Sequence, residues 1–428
     1  MLALALAGCG TVRSAEEAVG LAGPSASDAQ LASRYLGSIA ADDTEAVDLA
    51  RRVLLGGGTA ADAATEIALA LTVTQPGRAG LDGGGVCLVK PATGAVVELD
   101  FPAQNAGGTV PVPGLVRGLA ALQERYGVLR WQQIVAPVEA LAVTGMRVTP
   151  GLLADLQTAG LGAGGPSGRP LEVGDILPQR GVAATLSQLR TGGVAAFYTG
   201  AQGGALVAAG VPARALADYA PVWRRPASLN AGGAVLFYPQ GPAGAAIQAA
   251  WNAAGTGDRF AAARGAAFPP GAAIDQPAGS IGFLVADAAG RAVSCAIGLG
   301  RPFGSGQLVE PLGIFVSAPT EGAATSLAPI IGTEAGGDQL LVAVVGAGSD
   351  AAPADAAAIA WSVLRGNRPV AEAVSDPRTP AESVGTLVAD RVSALSCAGG
   401  LPQHPGSCSI QHDPRGGGYS MPVDRLVK

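Results

Sequence analysis

The segment GSIGFLVADAAGRAVSCAIG at residues 279–298 places a small hydroxyl, Ser280, at the start of two apolar strand patterns joined by a turn. A serine hydroxyl becomes a nucleophile in amide chemistry when a neighbouring base accepts its proton. Histidine and lysine are common bases, and this 428-residue chain has only two of each. Arginine cannot replace them, because it stays protonated in proteins. The question is therefore which group could activate Ser280.

Two common serine mechanisms fit this chain poorly. A Ser-His-Asp triad would need His404 or His412, both near the C-terminus, and the chain has no G-x-S-x-G motif. A Ser-Lys dyad would need Lys90, beside the turn of a predicted hairpin. The remaining mechanism is cleavage of the bond between Gly279 and Ser280, which frees an α-amine that then serves as the base. Such an amine has a pKa of about 7.7–8.0 and is partly neutral near pH 7.

Gly279 favours this mechanism, because glycine allows the strained backbone that an N-to-O acyl shift requires. The alternative is that Ser280 only caps the strand that follows. The residues alone leave both interpretations open.

Helix and strand patterns follow one another in an order that predicts the fold class. Apolar residues recur at helical spacing over 60–71, and most of them are alanine, so this helix could pack close to a sheet. GGGVCLVK and AVVELDF, joined by PATG, form one predicted hairpin, and residues 280–298 form another. The hairpins are separated by helices without regular βαβ alternation, so the chain is predicted to be an α+β layered sandwich.

Composition and spacing disfavour several classes of ligand. A net charge of −6 gives no basic surface for a nucleic acid. GAGSDAA at 346–352 matches G-x-G-x-x-A, but the following helix is not followed by the strand that a dinucleotide site requires. No lysine follows a glycine-rich loop, so a Walker-type phosphate site is not expected. We therefore expect no cofactor and no nucleic-acid partner.

The cysteines suggest covalent cross-linking more than metal binding. Cys397 and Cys408 flank the Gly/Pro-rich segment SCAGGLPQHPGSC and are predicted to form a disulfide. A metal site that includes His404 is the alternative, but three soft ligands are too few for a closed structural zinc site. No metal is therefore expected. Cys87 and Cys295 lie in apolar strand patterns and are expected to be buried thiols.

The N-terminal sequence MLALALAGCG resembles the lipobox of bacterial lipoproteins, with Cys9 as the lipidated residue. The basic region of a signal peptide is missing, so the apolar start could also be incidental. We interpret residues 1–9 as a lipoprotein signal and residues 10–45, which are rich in Ala, Ser and Asp, as a tether or N-terminal arm. The protein is then expected to be exported to the periplasm or envelope and anchored to the membrane by lipid.

Several stretches between residues 46 and 420 resemble the γ-glutamyltranspeptidase family. They include GGGTAADAATEIALALTVTQPGRAGLDGGGVCLVKPATGAVVELDF, VPGLVRGLAALQERYG, DAAGRAVSCAIGLGRPFGSG and DPRGGG. The resemblance implies a four-layer αββα sandwich of the N-terminal-nucleophile hydrolase type, with 46–279 and 280–428 as its large and small parts. Family members cleave themselves before a threonine and use it to transfer the γ-glutamyl group of glutathione-like amides.

The resemblance also implies roles for individual residues. The nucleophilic threonine of the family corresponds to Ser280. The paired hydroxyls before a Leu-Ala-Pro step correspond to Thr325 and Ser326, which would orient the substrate. The glycine pair of the oxyanion hole falls near Ser349 and Asp350, so the backbone N–H groups of Gly348 and Ser349 are candidates for holding the oxyanion.

Most substrate-binding positions of the family are occupied by other residues in this chain. The arginine that binds the substrate α-carboxylate corresponds to Pro102. Further replacements fall at Gly298, Gly300, Pro319 and Gly322. Each lost charge-assisted contact removes roughly 1.5–3 kcal/mol of recognition. Ordinary glutathione turnover is therefore not expected.

Two functions remain open. In the first, the chain is a divergent amidohydrolase or acyltransferase that acts on a small peptide or amide, with Ser280 as its N-terminal nucleophile after cleavage behind Gly279. In the second, it is a catalytically inactive member of the family that acts as an envelope-anchored binding or assembly module.

Overall fold

A computed structural model of the chain describes residues 34–162, 164, 169–319, 325–379, 382 and 390–425. The strands in chain order are β1 (Tyr35–Ala41), β2 (Gly84–Lys90), β3 (Val97–Phe101), β4 (Met146–Arg147), β5 (Ile176–Leu177), β6 (Val222–Arg224), β7 (Ala227–Asn230), β8 (Ala234–Tyr238), β9 (Ser280–Asp287), β10 (Ala292–Gly298), β11 (Leu308–Val309), β12 (Ile314–Phe315), β13 (Ala328–Glu334), β14 (Leu340–Ala347), β15 (Arg391–Leu401), β16 (Cys408–Gln411) and β17 (Tyr419–Asp424).

The α-helices in chain order are α1 (Thr44–Leu55), α2 (Ala60–Thr74), α3 (Leu115–Tyr126), α4 (Trp131–Thr144), α5 (Pro150–Thr158), α6 (Arg180–Thr199), α7 (Ala201–Ala209), α8 (Ala213–Asp218), α9 (Pro242–Ala253), α10 (Arg259–Ala267), α11 (Ala352–Leu364) and α12 (Val370–Ser375). Within the described residues, none of these helices is long and apolar enough to cross a membrane.

Two antiparallel sheets lie face to face at the centre of the molecule. The first has the strand order β17-β1-β9-β10-β2-β3-β6, and the second has the order β16-β15-β14-β13-β8-β7. Apolar side chains from both sheets, such as Leu284 and Val345, form one buried cluster between them. Because side chains alternate along a strand, the opposite faces of the same strands remain available for helices.

Helices cover both outer faces and complete four layers. Helices α1 to α4 and α6 pack on the first sheet, and α9 to α12 pack on the second. Helix α2 is buried along its whole length against β9 and β10, and its many alanines allow this close approach. It begins at a capping box in which Thr59 and Asp62 bond each other's backbone N–H groups. The predicted α+β sandwich with αββα layers is confirmed.

The first described strand corrects the predicted arm over 10–45. Residues 35–41 form β1, which lies inside the first sheet between β17 and β9, and α1 begins at Thr44. The segment YLGSIAA is buried on both faces and so lacks the alternation that reveals a strand. The predicted signal at 1–9, including Cys9, lies outside the described residues.

The structure pairs four cysteines in two disulfides. Cys397 and Cys408 face each other across β15 and β16 and are joined. Cys87 and Cys295 face each other across β2 and β10 and are also joined, so the expectation of buried thiols there was wrong. The second disulfide connects the 46–279 part of the sandwich to the 280–428 part.

Candidate active site

Ser280 is the first residue of β9 and lies opposite Gly298 of β10. Its side chain is on the inner face of the first sheet and is buried, with 3% of the residue exposed. Gly279 before it has a φ of +56°, and a Cβ at that position would lie 2.0 Å from the backbone carbonyl of Arg301. Only glycine therefore fits directly before Ser280.

The Ser280 hydroxyl has two hydrogen-bond partners from the second sheet. The backbone N–H of Gly348, just after β14, donates to Ser280 Oγ at 2.9 Å. The hydroxyl of Ser326, just before β13, lies 3.1 Å from Ser280 Oγ. These contacts hold the hydroxyl at the junction of the two sheets.

The backbone before Ser280 is held on both sides. The carbonyl oxygen of Gly279 accepts a hydrogen bond of 2.9 Å from the N–H of Leu299. The N–H of Ala278 donates to the carbonyl oxygen of Gly348 at 2.9 Å, within an isolated β-bridge between Pro277 and Ser349. The peptide bond between Gly279 and Ser280 is thus fixed beside the serine hydroxyl, and its carbonyl oxygen is hydrogen-bonded to the Leu299 N–H.

A buried ion pair secures the segment that leads to this bond. The Arg264 guanidinium, on α10, bonds both carboxylate oxygens of Asp355 on α11 at 2.6 and 2.8 Å. It also bonds Asp275 at 2.9 Å. Burial raises the pKa of the Asp355 carboxyl, and Arg264 opposes that shift. Arg264 thereby ties residue 275 to the helix that follows Gly348.

The other sequence-predicted residues are not all at the nucleophile. Thr325 is exposed, and its hydroxyl donates to the Asp350 carboxylate. Ser349 is fully buried, and its hydroxyl accepts from the N–H of Ala351 at 3.2 Å. Of the hydroxyl pair before Leu-Ala-Pro, Ser326 is the member that touches Ser280. The Asp350 carboxylate, whose negative charge would oppose an oxyanion, accepts the hydrogen bond from Thr325.

Ser280 opens on a cleft of about 380 Å³ between the edges of the two sheets. Ser326, Gly298 and Gly300 also line it near the nucleophile, and Pro102 lines it further along the first sheet. A volume of this size suits a small ligand.

Sequence analysis missed the charged wall of this cleft. Arg224 on β6 bonds Glu98 Oε1 at 2.7 and 2.9 Å and lies 2.9 Å from Asp100 Oδ2. Glu98 Oε2 accepts from the N–H of Gln240 at 3.0 Å. Burial raises the pKa of both carboxyls, and the Arg224 guanidinium opposes the shift. The alternation in VELDF places Glu98 and Asp100 on one face, but it gives no sign of Arg224.

A third carboxyl, that of Asp82, lies behind the lining of the cleft. Asp82 is fully buried and accepts the N–H of Ser317, a cleft residue, at 2.8 Å. Among the described residues, Asp82 Oδ1 has no hydrogen-bond partner. Burial raises the pKa of Asp82 to about 8, although the bonds from Ser317 oppose this.

Comparison with known proteins identifies the family. The model of the family described as gamma-glutamyltranspeptidase matches residues 46–110 and 102–255. The chain belongs to the γ-glutamyltranspeptidase family. Glutathione hydrolase 2 of Arabidopsis thaliana is 32% identical over 202 residues, which cover 40% of this chain and 35% of the relative. The glutathione hydrolase proenzyme of Escherichia coli (strain K12) is 30% identical over 200 residues, covering 38% and 34%. The chain thus spans about a third of the length of these curated relatives.

A solved structure shares the whole fold of this γ-glutamyltranspeptidase family member. A cephalosporin acylase from Bacillus halodurans superposes with a TM-score of 0.74, covering 91% of this chain and 96% of that one. The two sequences are 18% identical, so the match concerns the fold alone.

The GAGSD segment, which matches part of a dinucleotide-binding motif, has a different structural role in this family member. It begins at the end of β14, and the next strand in the chain, β15, pairs antiparallel with β14. A dinucleotide site needs a parallel strand there. The segment instead supplies the Gly348 N–H to Ser280.

We expect Gly279→Ala to destabilise the protein by about 3 kcal/mol, since it adds a steric clash to a left-handed backbone strain of about 1–2 kcal/mol. Gly257→Ala is the matched control, because Gly257 has a φ of +61° but nothing within 4 Å of its added Cβ. Both changes are made in a Ser280→Ala background, so that chain cleavage does not affect urea unfolding. Equal losses for the two variants would contradict the close packing at Gly279.

We expect Asp82→Asn to become progressively more favourable to stability as the pH rises. An unfolded aspartate has a pKa of about 3.9, whereas burial raises that of folded Asp82 to about 8. Ionisation of Asp82 therefore opposes folding increasingly between these values and does so fully above them. The free energy of unfolding of the variant minus that of the unaltered chain should rise by up to about 1.4 kcal/mol per pH unit between pH 5 and 8.

Urea unfolding at a series of pH values measures this difference. Burial also raises the pKa of Glu66 to about 8, but Glu66 is present in both proteins and its effect cancels. A difference that stays constant over this pH range would show that Asp82 does not hold its proton in the folded state.

Proposed function

We propose that this chain is a divergent amidohydrolase or acyltransferase that cleaves its own backbone between Gly279 and Ser280 and then uses Ser280 as an N-terminal nucleophile. The observation that carries the proposal is the geometry at this bond. Ser280 Oγ is held by Gly348, and the carbonyl oxygen of Gly279 is held by the N–H of Leu299. A nucleophile and a polarised carbonyl thus lie on adjacent residues.

The cleavage step would proceed by an acyl shift. Ser280 Oγ bonds to the carbonyl carbon of Gly279, and the bond from that carbon to the Ser280 nitrogen breaks. The proton of the hydroxyl ends on the departing nitrogen. The Leu299 N–H would stabilise the oxyanion that forms at Gly279, as preorganised donors do in acyl transfer. Water then hydrolyses the ester and leaves Gly279 as a carboxylate and Ser280 with a free amine.

In the second stage the freed amine would replace the missing histidine or lysine. It accepts the proton of Ser280 Oγ as this oxygen attacks the amide carbonyl of a substrate, and passes the proton to the departing amine. Water or another amine then takes the acyl group from Ser280. The Gly348 N–H would hold the attacking oxygen in place. The Ser326 hydroxyl, which lies 3.1 Å from Ser280 Oγ, would orient the reacting groups.

We propose a small peptide or amide as the substrate, and not ordinary glutathione. The relatives named above are glutathione hydrolases. This chain has Pro102 in the cleft where the family pattern has an arginine for the substrate α-carboxylate. A bidentate pair between arginine and carboxylate contributes roughly 1.5–3 kcal/mol, or about ten- to a hundredfold in affinity.

Export and anchoring through a lipid on Cys9 remain part of the proposal. The two disulfides support an oxidising compartment, because disulfides are rare in reducing cytosol.

We expect the purified chain to convert to two fragments, the smaller of which begins at Ser280 and spans 280–428. Denaturing electrophoresis with reductant should show both fragments, and N-terminal sequencing should read SIGFL. Without reductant they should run as one species, because the disulfide between Cys87 and Cys295 spans the cleavage point. Ser280→Ala should slow cleavage at least about a thousandfold, as loss of a serine nucleophile does.

Ser294→Ala is the matched control for this experiment. Ser294 is also fully buried on the inner face of the first sheet, and its hydroxyl donates to the Val344 carbonyl at 2.8 Å. This variant should still yield both fragments. A folded, unaltered chain that stays whole with reductant would contradict the proposal and favour the inactive binding or assembly module.

A further inference from the structure

Charge is distributed unevenly along the cleft that contains Ser280. The lining near the nucleophile is neutral and includes Gly298, Leu299 and Ser326. Among the described residues, the charged side chains of the lining are Glu98, Asp100 and Arg224. Two carboxylates and one guanidinium give this wall a formal charge of −1.

Strand register sets the distance between the nucleophile and the charged wall. Gly282, Ala296, Val86 and Asp100 lie opposite one another on four successive strands of the first sheet. Ser280 is two residues from Gly282 on the same face. Three strand spacings of about 4.8 Å across the sheet, together with an offset of about 7 Å for two residues along it, therefore separate Ser280 from Asp100 by about 16 Å.

The floor between these points carries little side chain. Gly298 is paired with Ser280 on one side and with Gly84 on the other, and both glycines line the cleft. Pro102, which directly follows the strand that bears Asp100, lines it beyond Gly84. The cleft is therefore continuous from the serine hydroxyl to the charged wall.

The two carboxylates of the wall differ in what they can offer a ligand. Glu98 is fully buried, and its two oxygens accept from Arg224 and from the Gln240 N–H. Asp100 has 25% of its side chain exposed and lies 2.9 Å from Arg224 through Oδ2. Asp100 is thus the carboxylate that a ligand in the cleft can reach.

We propose that the cleft selects amides whose extended acyl group carries a cation, an ammonium or a guanidinium, about three residue lengths from the scissile carbonyl, where Asp100 binds it. The inference rests on the proposed function, because Ser280 marks the position of the scissile carbonyl. Three to four residues of extended backbone span about 10–14 Å, and the ion pair to Asp100 adds about 3 Å, which together match the separation of Asp100 from Ser280.

The same wall disfavours an acyl group that ends in a carboxylate. Arg224, the cation of this wall among the described residues, already contacts two carboxylates. A third carboxylate would meet a net negative charge and would have to displace one of these pairs. Like charges brought together in a partly buried cleft repel more strongly than in water.

Three isosteric probes test the inference by binding alone. They are 8-aminooctanamide, 8-hydroxyoctanamide and the monoamide of octanedioic acid, titrated by calorimetry into the Ser280→Ala variant and into the unaltered chain. We expect the aminoamide to bind about three- to fivefold more tightly than the hydroxyamide, which is the upper part of the range for a partly exposed ion pair. The acid should bind more weakly than the hydroxyamide. The shorter 4-aminobutanamide should lose the preference, because it cannot span the cleft.

Asp100→Asn should bring the amino and hydroxy probes within about twofold of each other. Asp218→Asn is the matched control, because Asp218 is an exposed aspartate on α8 paired with Arg214 and should leave the preference intact. The inference is overturned if the acid binds most tightly, if the three probes bind equally, or if Asp100→Asn keeps the preference. Tightest binding of the acid would mean that Arg224 receives a carboxylate.

Hydrolysis of the corresponding p-nitroanilides is measured separately, so that the two proposals fail in different ways. Selective binding of the cation without release of p-nitroaniline would keep the inference and reject the enzyme. Release with a preference for the acidic anilide would keep the enzyme and reject the inference.

Discussion

The hydrogen bond from the Gly348 N–H to Ser280 Oγ joins the two sheets beside the peptide bond between Gly279 and Ser280. Ser280 lies on β9 of the first sheet and Gly348 follows β14 of the second, so the bond depends on the strand pairing in both sheets. A shift of β9 by one residue would turn Ser280 toward the helices on the outer face. Gly298 favours the observed register, because it has no side chain and so leaves room for the side chain of Ser280 directly opposite.

Another hydrogen bond between the sheets lies at the other end of the cleft. Glu98 on β3 accepts the N–H of Gln240, which follows β8 of the second sheet. Between this bond and the one at Ser280, the cleft is lined in part by the glycines Gly84, Gly85 and Gly298. The cleft therefore exists because the two sheets are held together at its ends while the side chains between them are small.

The sandwich could be predicted from the sequence because its signals are local. Apolar strand patterns predicted both central hairpins, and alanines at helical spacing predicted α2. Ser280, Ser326 and Gly348 could be singled out from their motifs. Arg224 could not, because its place beside Glu98 depends on the pairing of β3 with β6, more than a hundred residues apart. The disulfide between Cys87 and Cys295 likewise depends on the pairing of two separate hairpins. Strand β1 was missed because it is buried on both faces.

Primary amines are scarce in this protein. Lys90 ends β2 with 1% of its surface exposed, and its ammonium donates to the carbonyl of Pro91 at 3.2 Å. The sequence holds just one other lysine, Lys428. Acylating reagents that modify most proteins at many lysines would therefore react here mainly at Lys428 and at polypeptide starts. The labelling of the native protein beyond one group for Lys428 then counts the chain beginnings that it presents.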